Sequence, residues 1–238
     1  MDLKEQEILG DQVNTHWYYR AKSAAMMRFL QGGPITSILD VGAGSGFFSR
    51  HLLDHTAATD AICVDPNYPE EHQEHHHGKP IGFVHRVASF GGDVVLMMDV
   101  LEHVDNDTAL LREYADAIKP GTRVLITVPA HAWMWSSHDV FLEHYRRYTI
   151  KQVDALIERA GLHLLRSSYY FGSTLPLAAT LRLGRRLNPF HVDRPGSDMR
   201  PHAPAINQFL LRLTQAEMPL LWRNRVAGLS VFALAEKK

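Results

Sequence analysis

The stretch ILDVGAGSGFFS, Ile38 to Ser49, decides the fold. Apolar residues and an aspartate, the length of a short strand, run into three glycines at alternate positions, Gly42, Gly44 and Gly46, and then into Phe47 and Phe48. A glycine turn between a strand and a helix lets a ligand come close to the backbone and offers it amide donors. Asp65 closes the next apolar run, 19 residues after Gly46. A carboxylate at that place can accept both hydroxyls of a ribose.

Outward from this loop, apolar bursts of strand length alternate with helical or loop segments: 35–41, 61–65, 81–87, 93–98, 123–129, 163–170 and 229–235. The runs are continuous rather than alternating, as in strands covered on both faces. Between them, Asp105–Asp107 opens a helix that ends at Lys119-Pro120-Gly121, and Thr149 with Gln152 three residues on forms a capping box for a helix that stops at Gly161. Trp17, Ala21, Ala25 and Phe29 recur at helical spacing within 12–31, which Gly32-Gly33-Pro34 ends. The expected fold is α/β, a Rossmann-like, doubly wound sheet of seven strands with a helical insertion between the sixth and seventh. Length and composition agree with it: 238 residues, 45% hydrophobic, 21% charged, formal net charge −1. That charge balance gives no reason to expect a nucleic-acid partner. The lone Cys63 excludes an internal disulfide, an acidic polar N-terminus argues against a secretory leader, and no apolar run is long enough to span a bilayer. A cytoplasmic location is the expectation.

The loop also narrows its own ligand. The dinucleotide fingerprint is G-x-G-x-x-G, whereas this loop is G-x-G-x-G with Asp40 two residues ahead of Gly42. A carboxylate there would repel a pyrophosphate and pair with an ammonium. Spacing and charge disfavour a nicotinamide dinucleotide and favour a ligand with ribose, adenine and an amino-acid end, namely S-adenosylmethionine. The segment resembles motif I of the class I S-adenosylmethionine-dependent methyltransferases. AICVDP (61–66) resembles the acidic motif that follows it, DVVLMMDVLEHVDND (93–107) the fourth-strand motif, and IKPGTRVLITVPA (118–130) the fifth-strand motif. The resemblance covers roughly residues 35–130 and implies a seven-stranded sheet whose last strand is antiparallel. It places Asp40 and the loop Gly42, Ala43, Gly44 and Gly46 at the methionine end, Asp65 and Pro66 at the ribose, Ala88 and Ser89 beside the adenine, and Met98, Asp99 and Val100 below the sulfonium. Many relatives carry an acid after the third strand to meet the adenine amine, and HRVASFGG (85–92) has none. HWYYRAKS (16–23) and VPAHAWMWSSHDVFLEHYRRYT (128–149) resemble a bacterial subgroup from cell-surface glycan and secondary-metabolite settings.

Methyl transfer is a displacement on an already activated carbon, so the protein mainly aligns the reactants, and a general base is needed when the acceptor is a hydroxyl, thiol or acidic carbon. The candidates lie after the fourth and fifth strands, where open α/β sheets bind ligands: His103, His131, His138, Asp139 and His144. His138-Asp139 and His144 stand out because the segment SSHDVFLEHYRRYT is polar and aromatic where a linker would be short. Its bland reading is a solvated loop, with Arg146 and Arg147 capping a helix or binding an acid. DVLEH resembles the acidic-histidine cluster of ubiquinone-pathway O-methyltransferases, where a metal has been proposed. Adjacent residues on one turn point apart, so no metal is expected. EEHQEHHHGKP (70–80) reads as a solvated loop.

The chain then divides into N-terminal lid helices over 1–34, a cofactor-binding methyltransferase domain over 35–173 and 226–238, and a helical cap over 174–225. In the lid, Trp17 would exclude water and Arg20 would meet the cofactor carboxylate; alternatively Trp17 only packs the helix. The insertion carries Arg182, Arg185, Arg186, Arg194, Arg200, Arg212, Arg223 and Arg225 against Asp193, Asp198 and Glu217, and no lysine. Arginine suits bidentate recognition of carboxylate or phosphate. Three readings of its amphipathic segments stand: a cap over the acceptor, contact with an anionic membrane surface, or plain packing with solvated arginines. The expected activity is methyl transfer to an oxygen or a nitrogen of a small or amphiphilic, anionic acceptor, leaving S-adenosylhomocysteine. The alternatives are a nicotinamide oxidoreductase and a cofactor-binding scaffold without catalysis. Oligomeric state is not legible.

Overall fold

Eight strands form one sheet in the order β3-β4-β2-β1-β5-β6-β8-β7 in the computed structural model, which describes residues 8–187 and 196–238. The first seven residues of the expected lid, and Asp193 and Arg194 of the insertion, lie outside the described residues. A short 3-10 turn (Gly10–Asn14) leads into α1 (Trp17–Phe29), then β1 (Ser37–Val41), α2 (Phe47–His55), β2 (Asp60–Val64), β3 (His72–His76) and β4 (Lys79–Val84). β5 (Val94–Met98), α3 (Asp107–Ala117) and β6 (Arg123–Pro129) follow, then α4 (Ser137–Phe141), α5 (Ile150–Arg159) and β7 (Leu162–Tyr170). The insertion contributes α6 (Leu175–Leu187) and α7 (Pro204–Ala216) before β8 (Ser230–Lys237).

β1, β2, β4, β5 and β6 pair in parallel, and β8 runs antiparallel between β6 and β7, as expected of the last strand. Neighbouring residues of the central strands feed opposite layers, as the pleat requires. Ile38, Leu96 and Leu125 pack with Ala21, Ala25, Met26 and Phe29 of α1 and with Leu52 of α2. Leu39, Val95 and Ile126 pack with Leu111 of α3 and with Val153, Leu156 and Ile157 of α5. Burial on both faces explains the continuous apolar runs. Helix starts follow local chemistry: Asn106 accepts the Ala109 amide at 3.0 Å, and Thr149 and Gln152 form the expected capping box.

Two expectations are corrected. The sheet has eight strands rather than seven, and the extra one is the histidine-rich segment read as a solvated loop. His77 and Gly78, at φ 50° and 80°, make a two-residue turn that pairs His76 with Lys79 and His72 with Phe83. Alternate residues of β3 then find partners: His72 stacks on Phe83 with centroids 4.6 Å apart, Glu74 pairs with Arg50, and His76 meets Asp54 at 2.8 Å. A polar composition hid a period-two pattern. The charged β3 sits at the sheet edge, where charges discourage further strand pairing.

Candidate functional site

Strand order reverses between β2-β1 and β5-β6, and the loops after those strands share the carboxyl edge of the sheet. The glycine loop follows β1. Gly42 and Gly46 have φ of 64° and 72°, a region costly for any side chain. A Cβ on Gly42 would also lie 2.7 Å from a methyl of Val100, so the end of β5 closes beneath the loop. The Gly42 and Ala43 amides both reach the Val64 carbonyl, at 2.7 and 3.3 Å, and fasten the loop to β2. The Tyr68 hydroxyl donates to the Gly44 carbonyl at 2.7 Å. Nothing in the local sequence marked Tyr68.

Asp40 lies under the loop, 1% exposed, and accepts the Ser49 hydroxyl of α2 at 2.9 Å. Burial pushes its carboxyl up to about 6, which the Ser49 hydrogen bond partly opposes. Asp65, at the end of β2, is buried and accepts the Asn67 amide at 2.9 Å, while Pro66, Ala88 and Ser89 are exposed. Met98 is buried, and Asp99, at φ 57°, turns the chain out of β5.

Asp99 is the hub of a cluster that sequence reasoning only half found. The buried ammonium of Lys22 pairs with Asp99 and donates to the Tyr18 hydroxyl at 3.2 Å, and the Thr127 hydroxyl donates to the other Asp99 oxygen at 3.0 Å. The expected cation of α1 was Arg20. The structure instead leaves Arg20 exposed and turns Lys22, two residues further along the helix, towards Asp99. The available signal was a lysine beside the apolar stripe of Ala21, Ala25 and Phe29. Trp17 is half-buried, edge-on to Phe171 at 5.9 Å, and its amide donates to Asn207 of α7 at 2.8 Å.

A cavity of about 290 Å³ opens beyond Asp99, between α1, the segment after β6 and the insertion. Trp17, Asp99, His103, His138 and His144 all line it; the glycine loop, Arg20, Asp65 and Ser89 do not. Asp139 stands behind it, wholly buried. The Asp139 carboxylate takes His144 Nδ1 at 3.0 Å and Arg147 Nε at 2.7 Å on one oxygen, and the Ser136 amide at 2.8 Å on the other. Burial alone would raise this carboxyl, but the His144 hydrogen bond and the Arg147 charge outweigh it and hold the group below the ordinary carboxylate range.

The two histidines are set up differently. His144 directs Nδ1 at an ionised carboxylate, so that nitrogen carries a proton. His138 Nδ1 accepts the Asp198 amide at 3.1 Å, and burial lowers the ring to about 4. His138 is therefore neutral with its proton on Nε2.

Glu102 is wholly buried at the same wall, with neither oxygen hydrogen-bonded among the described residues, and burial pushes it up to about 8. The expectation that Glu102 and His103 diverge does not hold. Their donor atoms and one of His144 lie within 4.8 Å of one another, because His144 arrives from a separate segment and closes the set. Such a trio can ligate a divalent cation.

Residues 14–167 match a family described as methyltransferase domain. A Ubiquinone biosynthesis O-methyltransferase of Xanthomonas euvesicatoria pv. vesicatoria (strain 85-10) is 29% identical over 99 residues, 38% of this chain and 41% of that protein. The match thus spans about two fifths of the curated relative's length. A SAM dependent methyltransferase from Archaeoglobus fulgidus is similar in structure, at TM-score 0.54, 15% identity, 99% of this chain and 98% of that one. Haemonchus contortus phosphoethanolamine N-methyltransferase 2, in complex with S-adenosyl-L-methionine, is similar at TM-score 0.57 and 15% identity over 99% of this chain and 56% of that one. At these identities the structural likenesses speak for the fold.

Proposed function

The chain belongs to the methyltransferase-domain family, and we propose that it methylates a hydroxyl of a small or amphiphilic, anionic acceptor, with S-adenosylmethionine as donor. The observation that carries the reading is the hydrogen bond of His144 to buried Asp139, 3.0 Å, on the wall of a cavity that Asp99 also lines.

The donor set fits the cofactor. The left-handed glycines after β1 allow close approach, Asp65 supplies a carboxylate for ribose hydroxyls, and Asp99 with Lys22 offers both charges for an amino-acid tail. When bound, the cofactor supplies an electrophilic methyl on a sulfonium. S-adenosylhomocysteine would be the product released on transfer to the acceptor hydroxyl. His144 Nε2 removes the hydroxyl proton, and Asp139 orients the ring and balances the imidazolium that forms. Arg182, Arg185 and Arg200 line the same cavity as Leu177 and Leu181, which suits an acceptor with an anionic part and an apolar part. In this reading α6 and α7 form the cap over the acceptor, and α1 is the lid.

Calorimetry with S-adenosylmethionine and S-adenosylhomocysteine, followed by release of the latter in the presence of anionic hydroxyl compounds, tests the proposal. Micromolar binding and acceptor-dependent release are expected. Binding without turnover on any hydroxyl, amine or thiol would point to a scaffold, and absence of binding would remove the reading altogether.

A further inference from the structure

α6 is built inside out. Its 13 residues, LPLAATLRLGRRL, contain no acid. Leu177, Leu181, Leu183 and Leu187 are 50, 56, 55 and 72% exposed. Pro176, Thr180 and Gly184 are exposed with them. At 100° per residue these positions sweep one continuous arc. The polar contacts lie on the other side: Arg182 donates to the Met134 carbonyl and pairs with Asp198 at 2.9 Å. A surface helix normally turns its leucines inward and its arginines out. Here Arg182 and Arg185 share the half-buried Asp198, each at 2.9 Å, and the leucines are left to solvent.

Three observations say what covers this face. The charge is one-sided: the insertion 174–225 has eight arginines against three acids in a chain of net charge −1. Next to the Met134 carbonyl that holds Arg182, Trp133 is 55% exposed, and an exposed indole beside basic and apolar side chains suits the headgroup region of a bilayer. Leu177 and Leu181 line the cavity and belong to the exposed arc, so the cavity wall runs without a break into the apolar face. No described helix is long and apolar enough to cross a membrane, which leaves a helix lying in the surface.

We propose that α6 docks on an anionic lipid surface, with its leucines among the acyl chains and the half-exposed Arg185 at the headgroups, and that the acceptor cavity opens onto that surface. The acceptor would then be an amphiphile drawn from the bilayer. This last step rests on the cavity being the acceptor site; the docking does not.

Flotation of the full chain, without cofactor or acceptor, on vesicles of phosphatidylcholine alone or mixed with phosphatidylglycerol reads the docking by itself. Wild type is expected to float with the mixed vesicles, less so at high salt, and to stay behind with phosphatidylcholine alone. Leu183→Ser/Leu187→Ser lies outside the cavity lining and should partition at least about tenfold less, with unchanged melting temperature and unchanged cofactor binding. Wild type failing to float with mixed vesicles, or the double variant floating as well as wild type, overturns the proposal. So does light scattering that finds a wild-type dimer which the double variant dissolves, since a second copy would then be the occupant. Flotation with no methyl transfer to any acceptor would leave the docking standing and remove the reading of the cavity. Methyl transfer to a water-soluble acceptor without flotation would do the reverse.

Discussion

The two sides of Asp99 are built on different terms. In the proposed reading, recognition on the β1–β2 side is a matter of backbone: left-handed glycines, amides tied to the Val64 carbonyl, and Asp65 at a strand end. On the β6 side it is a matter of side chains from separate segments: Asp139, His144 and Arg147 after β6, Glu102 after β5, and Arg182 from the insertion. A backbone cradle suits a ligand that never changes, because it depends on few side chains. A side-chain cavity can be rebuilt for a new acceptor without disturbing the cradle.

Substitutions that act on one side alone test that division, and the largest effect belongs to the acceptor side. His144→Gln should lower turnover by about 10²–10⁴-fold while calorimetry finds the cofactor bound as before. A matching loss of cofactor affinity would break the division. Gly42→Ala places a Cβ against the Val100 methyls in a left-handed backbone, and should cost about 1–3 kcal/mol of stability and weaken cofactor binding. Val100→Ala in the same chain should recover part of both, as thermal denaturation and calorimetry would register.

Lys22→Met tests the hinge between the sides. Removing the ammonium leaves Asp99, which is about a quarter exposed, without its ion pair, and cofactor affinity should fall about tenfold or somewhat more. Arg20→Ala is the control and should leave binding unchanged. Equal losses in both would favour Arg20 as well as Lys22 as a cation that meets the cofactor.

The last effect is one of pH. Glu102 is raised from 4.5 to about 8 by burial, so between those values the unfolded chain sheds a proton that the folded protein keeps. Wild-type stability is therefore eroded as pH rises through this window, by at most about 1.4 kcal/mol per pH unit from this group. Glu102→Gln removes that slope, and its melting temperature should gain on wild type from about pH 4.5 to about 8 and run parallel above. A constant difference across that range would show that Glu102 is ionised in the fold.

What the sequence by itself determined was everything a short window of chain can encode. Continuous apolar runs announced strands buried on both faces, Thr149 and Gln152 announced a helix start, and the glycine loop announced a backbone cradle after β1. The tertiary structure alone decided which distant groups meet. Lys22 and Asp99 are 77 residues apart and His138 and Asp198 are 60 apart, and no local pattern states that either pair will touch. It also decided which way a pattern faces. The alternation of β3 became visible only against Phe83 and Arg50, and the leucines of α6 face outward while Asp198 pairs with Arg182 on the other side. Backbone preference and burial periodicity are written in neighbours. The pairing of charges depends on distance in space, and only folding sets that.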